Sequence, residues 1–241
     1  MTLCLVTDRH RLSPGERSLA AARRCLLEQT RYAVVAGVDL IHLRERDLAA
    51  ADLAALAVDL LAITRGSGTR VVINDRIDVA IACGADGVHL RADSINVAAA
   101  RRLAPRSFLI GRSVHNASEA AGAAGADYVV AGTVFPSLSK PGLEGGGTQD
   151  DFHGQGLLGT EGLKAVVQAA SVPVLAIGGV SVERAGEVAR AGASGIAAIG
   201  LFMRIGPERA GFTAAPSCRA VPLRDIADAL RRTFDSSRPA P

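Results

Sequence analysis

The chain has no tryptophan, only two tyrosines, and 3% aromatic residues in all. Stacking platforms for single-stranded nucleic acid are built from such rings, so that mode of binding is excluded at the outset. Charge of one sign is scarce too: a formal +3 is spread along 241 residues without the basic stripe that a phosphate-backbone footprint needs. No nucleic-acid partner is expected. The four cysteines, Cys4, Cys25, Cys83 and Cys218, lie far apart and form no CxxC pair. That excludes a zinc knuckle and a disulfide framework, and leaves four reduced thiols. No stretch approaches the length of a membrane span, and the opening "MTLCLVTDRH" is too short in apolar length for a signal peptide. The expectation is a cytoplasmic protein with no membrane partner; a homo-oligomer is left open.

Alanine and glycine, by contrast, recur in a fixed order. "AGVDLIHL" from Ala36, "CGADGVHL" from Cys83, "AGADYVV" from Ala124 and "AGASGIAAI" from Ala191 share one grammar. Each follows a stretch with helical spacing, supplies a glycine where a helix ends in a left-handed residue, and runs into β-branched or apolar residues. "LCLVT" at 3–7, "RVVIN" at 70–74, "SFLIG" at 107–111 and "PVLAIGG" at 173–179 complete eight candidate strands. Nearly continuous apolar strands alternating with helices predict a parallel sheet covered on both faces, and eight units in this length predict an α/β fold of the (β/α)₈ TIM-barrel type. A doubly wound open sheet is the alternative, but no GxGxxG turn follows the first strand. One domain is expected over residues 1–234, ending in the amphipathic "PLRDIADALRRTF", with 235–241 as a flexible tail. Between Pro136 and Gly162 the segment "KPGLEGGGTQDDFHGQG" is too rich in glycine for a helix and reads as a long functional loop.

In such a barrel the chemistry gathers at the C-terminal ends of the strands. Those ends carry "TDRH", then Arg44, Glu45 and Arg46, then Asn74 and Asp75, then His89 and "RADS", then Arg112, Ser113 and His115, then "GTVFPSLSK", and finally Gly178, Gly179 and Gly200. Guanidinium forks, a lysine charge and glycine turns that expose N–H groups are what phosphate oxygens need. "IGGVS" and "AIGLF", after strands seven and eight, are the first candidates for a phosphate seat. Arg44, Arg46, Asn74 and Asp75 form a second, where Asp75 can hold Mg²⁺ that bridges diphosphate oxygens. Glu45 reads better as a strand-end ion-pair partner. His42, His89 and His115 read as hydrogen-bonded interior residues as readily as catalysts.

Taken together, "IHLRERD", "VVINDRIDVAIACGADGVHL", "GRSVHNASEAAGAAGADYVVAGTVFPSLSKPG" and "VPVLAIGGVS" resemble the thiamine phosphate synthase and TenI superfamily, in register from residue 3 to about 203. The resemblance implies a thiamine-biosynthesis transferase that joins a hydroxymethylpyrimidine diphosphate to a thiazole phosphate with release of pyrophosphate, using Mg²⁺. It places Arg44, Asn74 and Asp75 at the diphosphate and metal, Ser113 and Lys140 on the diphosphate, and Ser137 and Ser139 in the thiazole-phosphate loop. Gly178, Gly179 and Gly200 become backbone donors.

The chain departs from the synthase pattern in three places. His42, Arg44 and Arg46 stand for Gln-x-Arg-x-Lys, Ser94 takes the second metal carboxylate's place with Asp93 beside it, and Gly200 replaces a serine. The TenI branch, which shifts a proton on a carboxythiazole phosphate, expects a histidine where Thr133 stands, and His153 in the long loop is its conceivable substitute. A TenI-like tautomerase and a catalytically silent binder of thiazole or thiamine phosphates are the alternatives.

Overall fold

The computed structural model describes residues 1–137, 156–203 and 223–238. Its first half runs β1 (Thr2–Val6), α1 (Arg9–Leu12), α2 (Leu19–Val35), β2 (Leu40–Leu43), α3 (Ala50–Thr64), β3 (Arg70–Asn74), α4 (Ile77–Ala82) and β4 (Gly87–Leu90). The second continues with α5 (Val97–Leu103), β5 (Leu109–Val114), α6 (Ala117–Ala121), β6 (Tyr128–Ala131), α7 (Gly159–Ala169), β7 (Val174–Ile177), α8 (Ala185–Arg190), β8 (Gly195–Ala198) and α9 (Leu223–Ser236). The strands close in sequence order into a parallel barrel, with β8 returning to pair with β1. The (β/α)₈ expectation holds.

The repeated turn has a double physical role. Gly37, Gly84, Gly125 and Gly192 take φ between 68° and 89°, the left-handed conformation that ends a helix without a Cβ penalty. Two residues on, in three of the four repeats, an aspartate reaches back to the start of the preceding strand. Asp39 accepts from the Leu3 N–H at 2.8 Å, Asp86 from Val71 at 2.7 Å and Asp127 from Ile110 at 2.7 Å. At the fourth repeat a serine stands in that place, and its backbone N–H donates to Val174 O at 2.7 Å. Each aspartate clamp satisfies a strand-end amide at the bottom of the barrel, and all four contacts tie neighbouring strands in register.

Strand side chains split between two apolar regions. Leu3, Leu5, Ile41, Leu43, Ile73 and Val88 pack outward against the helices, whereas Cys4, Val6, Leu40, Val72, Tyr128, Val130, Leu175 and Ala197 fill the barrel. His42 and His89 take inward positions by the same alternation, above Leu40 and Gly87.

Among the boundaries that differ from expectation, two change the setting of particular residues. β5 continues through Arg112 and Ser113 to Val114, because Leu90 pairs with Arg112 and Ala131 with Val114 on its two sides. α9 continues two residues past Phe234, so Asp235 and Ser236 belong to the helix and not to a tail. The N-terminal ammonium lies 3.6 Å from Asp235, and Phe234 is fully buried.

The expected ion pairing of Glu45 is present and ties β1 to β2 at the upper rim. Its carboxylate accepts from Thr7 Oγ1 at 2.7 Å, from the Arg9 backbone N–H at 3.2 Å and from the Arg9 guanidinium at 3.0 Å. Burial pushes its pKa up, while Thr7 and Arg9 pull it down. Arg9 also pairs with Asp47, which is exposed. Glu45→Ala is expected to destabilise the protein by about 3 kcal/mol, the lower end for breaking a buried pair because Arg9 keeps Asp47. Urea unfolding of the variant would measure this, and an unchanged midpoint would refute the clamp.

Candidate active site

The strand tops and the loops above them line a cavity of about 1060 Å³. One wall comes from β2 to β5: His42, Arg44, Arg46, Asn74, Arg91, Asp93, Ser113 and His115. The facing wall comes from β7 and β8, with Gly178, Gly179, Ser181 and Gly200. Val6, Val130, Ile177 and Ala197 make an apolar floor between them. Ser137 also lines the cavity, so nearly every predicted site residue among the described ones meets here. Ser139, Lys140 and His153 lie outside the described residues, as does Cys218.

The two walls differ chemically. On the first, the guanidiniums of Arg44 and Arg46 make no ion pair among the described residues, which leaves their donors for a ligand. Arg91 is engaged with Asp93 at 2.5 Å. Arg112 is turned away from phosphate duty: it donates to Ile95 O and Ala92 O, both at 2.6 Å, and so pins the loop after β4. His115 is held by Glu119, 3.0 Å from its Nδ1, at the start of α6.

On the second wall, Gly178 and Gly179 have φ of 97° and 61°. A Cβ on Gly178 would fall 2.5 Å from Thr133 Cγ2, and one on Gly179 would fall 2.3 Å from Pro136 O. Glycine is required at both because the turn folds tightly under the β6 loop. Arg11 joins this wall from α1, its guanidinium 3.5 Å from where a Cβ on Gly200 would lie. Sequence reasoning did not single out Arg11, since only the pairing of β1 with β8 brings it beside Gly200.

Asp75 is not part of the cavity wall. It is the one described non-glycine residue with positive φ, at 60°, and its Oδ1 is buried without a hydrogen-bond partner among the described residues. A buried acceptor with no donor fits a cation. Asp93 is exposed and already paired with Arg91, and the described residues hold no group of three or more His, Cys, Asp or Glu side chains placed to ligate a metal. Mg²⁺ characteristically takes one or two carboxylates and completes its shell with waters and phosphate oxygens, so Asp75 fits that ion as part of a site that substrate completes.

Beneath the cavity a polar string crosses the barrel. His42 Nε2 lies 3.1 Å from Asn74 Oδ1, and the His42 and His89 rings sit 4.5 Å apart. His89 touches Ser113 Oγ at 2.9 Å and the Tyr128 hydroxyl at 3.2 Å. Burial holds His42 well below 6.5; burial and the charge of Arg112 hold His89 at about 3. Both imidazoles are therefore neutral in use, as the interior reading of these residues anticipates.

Depressed histidine pKa values fix the sign of a pH effect. Their contribution to stability is complete above about 6.5, the unfolded value, and is lost progressively as pH falls from there toward the folded values. The slope is expected to approach about 1.4 kcal/mol per pH unit for each histidine. Urea midpoints should fall between about pH 7 and about pH 4.5, the range in which a histidine titrates, and His89→Gln should remove part of the slope. A flat profile would contradict the neutral pair.

Known proteins with this sequence pattern and geometry carry a shared name. Residues 3–202 match the family described as thiamine monophosphate synthase. The thiamine-phosphate synthase of Methanoregula boonei is 45% identical over 174 residues, covering 71% of this chain and 76% of that protein. Its counterpart from Methanospirillum hungatei is 37% identical over 202 residues, 82% of this chain and 87% of that protein. Among solved structures, thiamine phosphate pyrophosphorylase from Pyrococcus furiosus superposes with a TM-score of 0.72 at 29% identity, covering 98% of this chain and 96% of that one. The matched span runs from the first strand of the barrel to the turn after the last and includes both walls of the cavity, and on this ground the chain belongs to the thiamine monophosphate synthase family.

Proposed function

We propose that the protein is a thiamine-phosphate synthase that joins hydroxymethylpyrimidine diphosphate to thiazole phosphate with release of pyrophosphate. One observation carries the reading: a single cavity has two anion-ready walls on opposite sides of the barrel, an arginine wall after β2 to β4 and a glycine wall after β7 and β8. Two phosphorylated substrates meeting over an apolar floor need that arrangement. The relatives described above are named for the synthase reaction, and a tautomerase or silent-binder reading is not favoured.

In the reaction the bond from the pyrimidine methylene carbon to the diphosphate oxygen breaks, and the thiazole nitrogen forms the new C–N bond. Negative charge grows on the departing diphosphate, and Arg44 and Arg46 supply fixed donors where it develops. Asp75 would hold Mg²⁺, which when bound supplies charge neutralisation for a departing diphosphate. On the opposite wall, the turns at Gly178, Gly179 and Gly200, with Arg11 beside them, hold the thiazole phosphate. Val6, Val130, Ile177 and Ala197 offer no nucleophile, so the electron-poor methylene carbon meets the thiazole nitrogen and not a protein group.

The test is incubation of the protein with both substrates and Mg²⁺, with thiamine phosphate and pyrophosphate as products. Formation of both, abolished by chelation, is expected; no product from folded protein would overturn the reading. Arg44→Ala should raise KM for the diphosphate substrate by about 10- to 100-fold, the worth of a charge-assisted hydrogen bond, and leave KM for thiazole phosphate unchanged. Asp75→Asn should raise the Mg²⁺ concentration needed for half-maximal rate by about tenfold. Equal metal titrations of variant and parent would remove Asp75 from the metal site.

A further inference from the structure

Ser113 lies on the arginine wall, and its hydroxyl meets His89 Nε2 at 2.9 Å. His89 Nδ1 in turn faces the Tyr128 hydroxyl at 3.2 Å. Among the described residues these are the side-chain hydrogen bonds of all three groups. His89 and Tyr128 are both buried, at 2% and 7% exposure. Gly111, between them in the sheet, keeps the pair together: a Cβ there would fall 2.3 Å from Tyr128 Cζ and 2.5 Å from His89 Nδ1.

A neutral imidazole has one N–H and one lone pair, so this string can run in two directions. In the first, Tyr128 donates to Nδ1, and Nε2–H donates to Ser113 Oγ. The serine hydrogen is then free to point into the cavity. In the second, Ser113 donates to Nε2, and Nδ1–H points at Tyr128. The phenol hydrogen then has no acceptor among the described residues, and a buried donor left without an acceptor is strongly disfavoured.

We infer that Tyr128, acting through His89, sets Ser113 as a hydrogen-bond donor to the anionic substrate on the arginine wall. Tyr128 and His89 are thus positioning residues, and Ser113 is the group that touches substrate. Burial keeps the phenol protonated and the imidazole neutral, which the string requires. That the anion is a diphosphate rests on the function proposed above; the direction of the string does not.

The tautomer is read directly by nitrogen NMR on the full chain with labelled histidine, the His89 signals being identified by their loss in His89→Gln. A pyridine-like Nδ1 and a pyrrole-like Nε2 are expected, and the reverse assignment would overturn the inference. The second measurement is kinetic. Tyr128→Phe removes the donor that biases the string and is expected to lower kcat/KM for the pyrimidine diphosphate by about tenfold. In a Ser113→Ala background the same change should have no further effect, whereas additive losses would show that Tyr128 acts by packing and not through Ser113. If the parent protein makes no thiamine phosphate, the proposed function fails while the NMR result still decides the direction of the string. If Tyr128→Phe does not fold, the spectrum of the parent protein still decides it.

Discussion

The pairing of β1 with β8, Thr2 to Leu5 against Gly195 to Ala198, is the constraint on which the rest of the molecule depends. It converts a twisted parallel sheet with two edges into a barrel with none. Once closed, all eight strand tops share one rim, and every inward side chain enters a shared interior. The two walls of the cavity exist because β3 and β4 come to lie across the barrel from β7 and β8.

Closure also imposes an electrostatic condition. Polar residues that the alternation sends inward are removed from water and must find partners inside. His42 finds Asn74, and His89 finds Tyr128 and Ser113. Neutral imidazoles beneath the arginine wall do not add charge to it, and the guanidiniums that line the cavity there are those of Arg44 and Arg46, with Arg91 held by Asp93. Glu45 plays the complementary part at the rim. Its carboxylate would oppose an anionic ligand, but it is turned into Thr7 and Arg9, whose own positions it fixes. The "RERD" cluster is thereby sorted, with Arg44 and Arg46 lining the cavity and Glu45 and Asp47 paired with Arg9.

The eight strands were legible in the sequence because their signals are local. A left-handed glycine, an aspartate two residues later and an apolar run occupy fewer than ten residues, and each element answers a backbone need at that point, as Asp39, Asp86 and Asp127 do for the strands before them. The arginine wall and the glycine turns were legible as candidates for the same reason, since residue type and strand-end position determine what they offer. Arg112 shows the limit. It stands between Gly111 and Ser113 at a strand end, but the pleat sends it out to the carbonyls of Ala92 and Ile95. Arg11 shows the opposite error: a residue in a single helical turn, with no motif of its own, is carried to the glycine wall beside Gly200 by the pairing of β1 with β8.

By itself the sequence determined the fold class, the number and order of strands, and the family, because periodicity, turn chemistry and motif order are properties of neighbours along the chain. Tertiary structure alone decided the partnerships. Ser113 meets His89 across 24 residues and His89 meets Tyr128 across 39. Asp75 is left with a buried oxygen that no described residue donates to, and Arg11 reaches Gly200. These follow from barrel closure and from the alternation of side chains on adjacent strands, which determine direction and distance between residues that no local pattern connects.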